Sequence, residues 1–156
     1  MAWVGVDRFL SSAARHGHGD PQLLGRLRAL RARIHDEVCR KGYDERLSRF
    51  VQHYGGRELD ASLLLLPLVA FLPVQDPRMA GTIRAIEREL LQDGLVMRQP
   101  ASAQPGQSAF LACTCWLADC QRLQGRVAEA RETLERVLAV RNDLGLLAEE
   151  NRTGAR

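Results

Sequence analysis

Residues 60–90 read DASLLLLPLVAFLPVQDPRMAGTIRAIEREL, and they set two helices of different kinds next to each other. The first, from Asp60 to Pro73, carries Leu63, Leu64, Leu65 and Leu66 in succession. A helix with no wet stripe has to be buried on every side. Asp60 is placed to cap its start, and Pro67 interrupts it. The second opens at Asp76-Pro77, a capping acid followed by a proline in the first turn, where the missing N–H is not needed. Ile83, Ile86 and Leu90 form its dry stripe, while Arg84, Glu87 and Arg88 form a wet face.

The same pairing recurs on both sides. Upstream, a helix from about Ala2 to Arg15 places Trp3, Val4, Val6, Phe9 and Leu10 around most of its circumference. Gly17, Gly19 and Asp20-Pro21 end it and begin the next. That next helix, Pro21 to about Lys41, is amphipathic, with Leu23, Leu27, Leu30, Ile34 and Val38 spaced by three or four. Residues 49–54 read as a short extended piece before the Gly55-Gly56 turn, and 94–98 as an exit from the fourth helix. Beyond a polar loop at 99–107, the segment from Ala109 to Leu123 is apolar nearly all round and Val127 to Val140 is amphipathic again. The order is therefore greasy, amphipathic, greasy, amphipathic, greasy, amphipathic. Strict alternation implies an all-α chain in two layers, with inner helices shielded by outer ones, as in an α/α barrel or a two-layer solenoid.

Composition excludes other classes. The chain has 156 residues, 46% apolar and 26% charged, which suits one packed domain or part of a larger one. The net charge is only +3, and Lys41 is the only lysine. The arginines at 26, 28, 31 and 33 alternate with apolar residues, which describes a wet helix face and not a nucleic-acid stripe. The longest greasy stretch, Leu63 to Pro73, falls short of the about 20 apolar residues that span a bilayer, and no signal peptide is expected. Cys39, Cys113, Cys115 and Cys120 do not make a disulfide framework, so reduced thiols in a cytoplasm are expected. Cys113 and Cys115 would point to different sides of a helix, and His16-x-His18 has no third ligand nearby. No metal and no cofactor is expected.

The strings MAWVGVDR (1–8), FVQHYGGRELDASLLLLPLVAFLP (50–73), GTIRAIERELL (81–91), GLVMR (94–98), AFLACTCWLADC (109–120), GRVAEARETLERVL (125–138) and RNDLGLLAEE (141–150), in that order, resemble the later part of bacterial family 15 glycoside hydrolases. That family includes glucoamylase-type enzymes, trehalases and glucodextranases. The resemblance implies an (α/α)6 barrel of twelve helices, of which residues 1–150 would supply about six, and a disordered tail at 151–156. It also implies hydrolysis of α-glucosidic bonds with inversion, which needs one carboxylic acid for the leaving oxygen and one carboxylate for water, about 6.5–9.5 Å apart. In such a barrel the site is built at one end, from loops running from an outer to the next inner helix. Here these are 42–59, 92–108 and the tail after Val140.

By this resemblance Glu149, in LLAEE, falls on the family's general base, with Glu150 beside it. Arg98 matches an arginine that hydrogen-bonds a glucosyl unit, a role suited to a planar fork of donors. Tyr54 could stack on a sugar face. The family's general acid lies just upstream of the string matching 1–8 and has no counterpart here. The family's acidic run before Ala-Phe reads Gly106-Gln107-Ser108. The expected substrate of the whole domain is an α-glucoside or oligosaccharide, and this chain by itself is expected to be a fragment without activity. An apolar seam on the inner helices is expected to promote self-association. The competing reading is a helical-repeat interaction module, whose units should recur at about 34–40 residues.

Overall fold

A computed structural model of the chain describes residues 1–100 and 108–151; most of the 99–107 loop and residues 152–156 lie outside the described residues. Among the described residues six α-helices follow one another: α1 (Ala2–His16), α2 (Pro21–Lys41), α3 (Leu65–Leu68), α4 (Pro77–Glu89), α5 (Leu111–Leu123) and α6 (Val127–Ala139). Short strands join them as β1 (Tyr43–Asp44), β2 (Arg49–Phe50), β3 (Leu91–Gln92), β4 (Leu95–Val96), β5 (Ala109–Phe110) and β6 (Glu150–Asn151). All three pairs, β1 with β2, β3 with β4 and β5 with β6, are antiparallel.

The caps read from the sequence hold. Asp20 accepts the Gln22 and Leu23 N–H groups ahead of Pro21, and Asp76 accepts the Arg78 N–H ahead of Pro77. Gly17 closes α1 in the left-handed conformation, at φ 64°, where glycine carries no Cβ penalty. α1 and α2 pack on each other and are tied by Asp7, a nearly buried carboxylate 2.9 Å from Arg31. Trp3 meets Phe71 edge-on at 5.1 Å and the His35 ring lies 4.7 Å from it, which attaches this pair to the rest.

The expectation for the third helix needs correction. Residues 61–64 form a 3-10 turn, and the α-helical part is the single turn of α3. Asp60 caps the 3-10 turn as expected. Pro67 supplies no N–H, and Ala70 adopts φ 61°, so the helix cannot run on to Pro73. Nor is this segment covered on every side. Ala61, Leu64 and Pro67 are buried, while Leu63, Leu65, Leu66 and Leu68 are only half-buried. The greasy segment that does sink into the interior is α5, through Leu111, Cys113, Leu117 and Cys120.

The amphipathic α4 is more deeply placed than an outer helix was expected to be. Met79, Ile83 and Ile86 have no exposed surface. The reason is the β1–β2 hairpin, which the sequence shows only as a vague extended piece. It lies against α4 so closely that a Cβ on Gly81 would be driven into the Ser48 carbonyl oxygen. Thr82 then accepts the Phe50 N–H at 2.9 Å and donates to the Arg78 carbonyl. Thr114 of α5 repeats the device, accepting the Val96 N–H of β4 at 2.9 Å. Both threonines are fully buried, so each hairpin N–H has no water to fall back on. Thr82→Val, close in volume, leaves the Phe50 N–H unpaired and is expected to cost about 1–3 kcal/mol in urea unfolding. A loss below about 0.3 kcal/mol would show that the hairpin does not rest on this bond.

The helix pairs are unequal, α1 and α2 having 15 and 21 residues, α3 and α4 only 4 and 13. With hairpins between them, they do not behave as copies of one repeat unit. Val127, Leu134 and Leu138 leave an exposed apolar stripe along α6. No helix among the described residues is long and apolar enough to cross a membrane.

Candidate functional site

Three connections meet at the N-terminal ends of the 3-10/α3 segment and α5. The chain leaving β4 passes through Met97, which bridges to Ala109, and Ala109 also pairs with Asn151. Residues 97, 109 and 151 therefore run side by side. One residue beyond Met97, the Arg98 carbonyl accepts the Ala61 N–H at 2.8 Å, at the start of the 3-10 turn. One residue before β6, the Glu149 carbonyl accepts the Leu111 N–H at 3.1 Å, at the start of α5. Among the described residues, parts of the 92–108 loop and of the tail after Val140 come together here, and Gln52 of the 42–59 loop reaches Asp60 beside them.

Glu149 and Glu150 are both exposed, and their main chain is held by the β5–β6 pairing; Asn151, expected as tail, is part of that pairing. The Arg98 side chain is 61% exposed, with Nε 3.6 Å from a carboxylate oxygen of Asp60. Asp60 is 2% exposed and is the centre of the cluster. One of its oxygens accepts the Ser62 N–H at 2.8 Å. The other accepts the side-chain amides of Gln52, at 3.3 Å, and Gln99, at 3.2 Å. Sequence reasoning recognised Asp60 only as a cap. Its position directly before a leucine run disguises it, because any N-cap looks the same in a sequence.

Tyr54 belongs to the loop that carries Gln52, yet its ring is 47% exposed and its neighbour is Lys41 of α2, whose ammonium lies 5.7 Å from the ring centroid. The structure thus gathers Arg98 and Asp60 directly, and brings Glu149 to the adjoining strand. Tyr54 stands over the end of α2.

The cysteines serve packing. Burial pushes the Cys113 thiol up to about 12, with the Asp60 charge adding to it, and burial likewise pushes Cys120 up to about 12. Such thiols are poor nucleophiles and poor metal ligands at neutral pH. Among the described residues, no three His, Cys, Asp or Glu side chains come together in a way that could hold a metal ion. A cleft of about 620 Å³ opens elsewhere, between α4, the β3–β4 turn and α6. Two of its three acids are occupied: Glu87 and Glu129 both pair with Arg126, at 2.8 and 2.6 Å. It contains none of Glu149, Arg98 or Tyr54.

The model of the family Glycosyl hydrolases family 15 matches residues 1–153. A trehalase of Thermoplasma volcanium is 36% identical over 153 residues, covering 96% of this chain and 24% of that protein. A trehalase of Mycobacterium tuberculosis is 37% identical over 155 residues, covering 96% of this chain and 22% of that one. The chain therefore spans about a quarter of the length of the curated relatives it matches. A solved structure described as a wild-type glycosidase superposes with a TM-score of 0.75 at 23% identity, over 84% of this chain and 35% of its own. A variant glycosidase in complex with glucose superposes equally well, at 22% identity. These structural likenesses establish the fold, an arc of the (α/α)6 barrel.

Proposed function

Because the chain belongs to family 15 of the glycosyl hydrolases, we propose that it forms the water-activating side of an inverting α-glucoside hydrolase and is inactive by itself. The observation that carries this reading is the meeting of the 98–99, 109–111 and 149–151 segments at one end of the helices. That is where a barrel of this kind builds its site, and the residues matched to sugar chemistry, Glu149 and Arg98, are both there.

The roles follow from the reaction. A water molecule attacks the anomeric carbon from the face opposite the leaving group, the carbon–oxygen bond to that group breaks, and the configuration inverts. The proton lost by the water goes to Glu149, the proposed general base. The leaving oxygen takes its proton from a second carboxyl, which we assign to a part of the domain outside residues 1–156. Arg98 would hold vicinal sugar hydroxyls with its fork of N–H donors, and Tyr54 is the weaker candidate for a stacking contact, given its place beside Lys41. The relatives are trehalases, so α,α-trehalose is the first substrate to try. Maltosyl and isomaltosyl substrates are the alternatives within the same chemistry. Four free thiols suit a reducing compartment such as the cytoplasm. The half-buried leucines of the 3-10/α3 segment and the exposed stripe on α6 are the surfaces through which the chain would self-associate.

Positioned acid catalysis contributes about 10²–10⁴-fold. The chain alone is therefore expected to release no glucose from α,α-trehalose, maltose or isomaltose above background. Turnover that Glu149→Gln abolishes would overturn the assignment of the acid to another part of the domain. Turnover that survives the change would overturn the role of Glu149 as well.

A further inference from the structure

Asp60 does more than a cap requires. Serine or asparagine caps a helix about as well as aspartate and brings no charge to bury. An ionised carboxylate that is 2% exposed must be compensated, and two glutamine amides and one backbone N–H carry no net charge to do so. The compensating charge is Arg98, with Nε 3.6 Å away and a side chain that remains 61% exposed. A second tie, from the Ala61 N–H to the Arg98 carbonyl, fixes the backbone of the same residue. The amides come from two different loops, Gln52 from the segment after β2 and Gln99 from the segment after β4. One buried carboxylate therefore gathers an inner-helix start and two site loops beneath one arginine.

We propose that Asp60 is a positioning residue, which holds the Arg98 guanidinium in place so that its donors meet sugar hydroxyls without first having to be ordered. The inference rests on the reading of this end as a sugar site, and it adds a residue that acts through Arg98 without touching the sugar. A long arginine that is free to sample many rotamers would surrender binding free energy when fixed by a ligand; one fixed in advance does not.

Side-chain 1H–15N spectra of the arginines in the intact chain test this. The Arg98 Nε–H signal is assigned by its loss in Arg98→Lys. In the unaltered chain it should be rigid by heteronuclear NOE, in contrast to exposed Arg15. In Asp60→Asn, which keeps the cap oxygen, the signal should become as mobile as that of Arg15 while the backbone amide spectrum stays native. Asp60→Ser serves if the asparagine variant does not fold. Titration with α,α-trehalose adds the functional reading: affinity should fall about tenfold in Asp60→Asn and by a similar factor in Arg98→Lys, with the double change no worse than Arg98→Lys alone. An Arg98 Nε–H as mobile as Arg15 in the unaltered chain, or one that stays rigid in the Asp60 variants, would overturn the proposal. A rigid Arg98 in a chain that gives no response to trehalose would overturn the sugar reading, and with it the purpose assigned here, while leaving the hold of Asp60 on Arg98 in evidence.

Discussion

Phe50→Ala is expected to lower the unfolding free energy of the chain by about 3–5 kcal/mol, the range for removing a buried aromatic ring. Domains of this size hold about 5–15 kcal/mol in total, so the variant should sit near the edge of folding at 37 °C. The argument starts from a two-residue strand. As a strand, β2 pairs only with Tyr43 and Asp44, which is too little for independent stability. What anchors it is the Phe50 ring, 1% exposed and in the same cluster as Met79, Ile83 and Ile86 of α4. The Tyr43 ring closes over it edge-on at 5.3 Å. Its N–H is the one held by Thr82, so loss of the ring also loosens a buried hydrogen bond. The segment released is the one leading to Gln52 and Asp60. Urea titration with hydrogen exchange at residues 43–52 would measure both effects. A loss below about 1 kcal/mol would mean that the hairpin is an ornament on α4 and not part of its core.

Much of the architecture could be read from residue spacing. Asp20-Pro21 and Asp76-Pro77 mark two helix starts because capping and proline chemistry are local, and α2 and α4 begin where those signals place them. Apolar periodicity located α1, α5 and α6 for the same reason. The failures are tertiary. The leucine run after Asp60 reads as a long helix, yet the chain turns through Ala70 at φ 61° after a single α-helical turn. No propensity announces that, because apolar runs suit a buried turn as well as a buried helix. The β3–β4 hairpin was legible and went unread: Asp93-Gly94, both at positive φ (51° and 80°), is the sequence a two-residue hairpin turn demands. The depth of α4 was not legible, since it depends on a hairpin brought against it from 30 residues upstream.

At the site, Glu149 and Arg98 were reached through resemblance and not through spacing, and the geometry adds that both belong to segments at the same helix ends. Asp60 was seen as a cap only. Its charge partner lies 38 positions away in the chain, and the two meet where the Ala61 N–H donates to the Arg98 carbonyl. A lone acid before a helix carries no mark that separates a capping role from a positioning one.

The central claim is that this chain is the water-activating arc of a sugar-cleaving barrel. Replacing the matching quarter of the Thermoplasma volcanium trehalase with residues 1–151 of this chain tests it directly. The remainder of that protein then supplies whatever completes the ring, and the new segment offers Glu149 as the proposed base. The account predicts that the chimaera releases glucose from α,α-trehalose, and that Glu149→Gln in the chimaera lowers the rate by about 10²–10⁴-fold while leaving the fold intact by circular dichroism. A folded chimaera that leaves trehalose uncut, or one whose rate Glu149→Gln does not change, would contradict it.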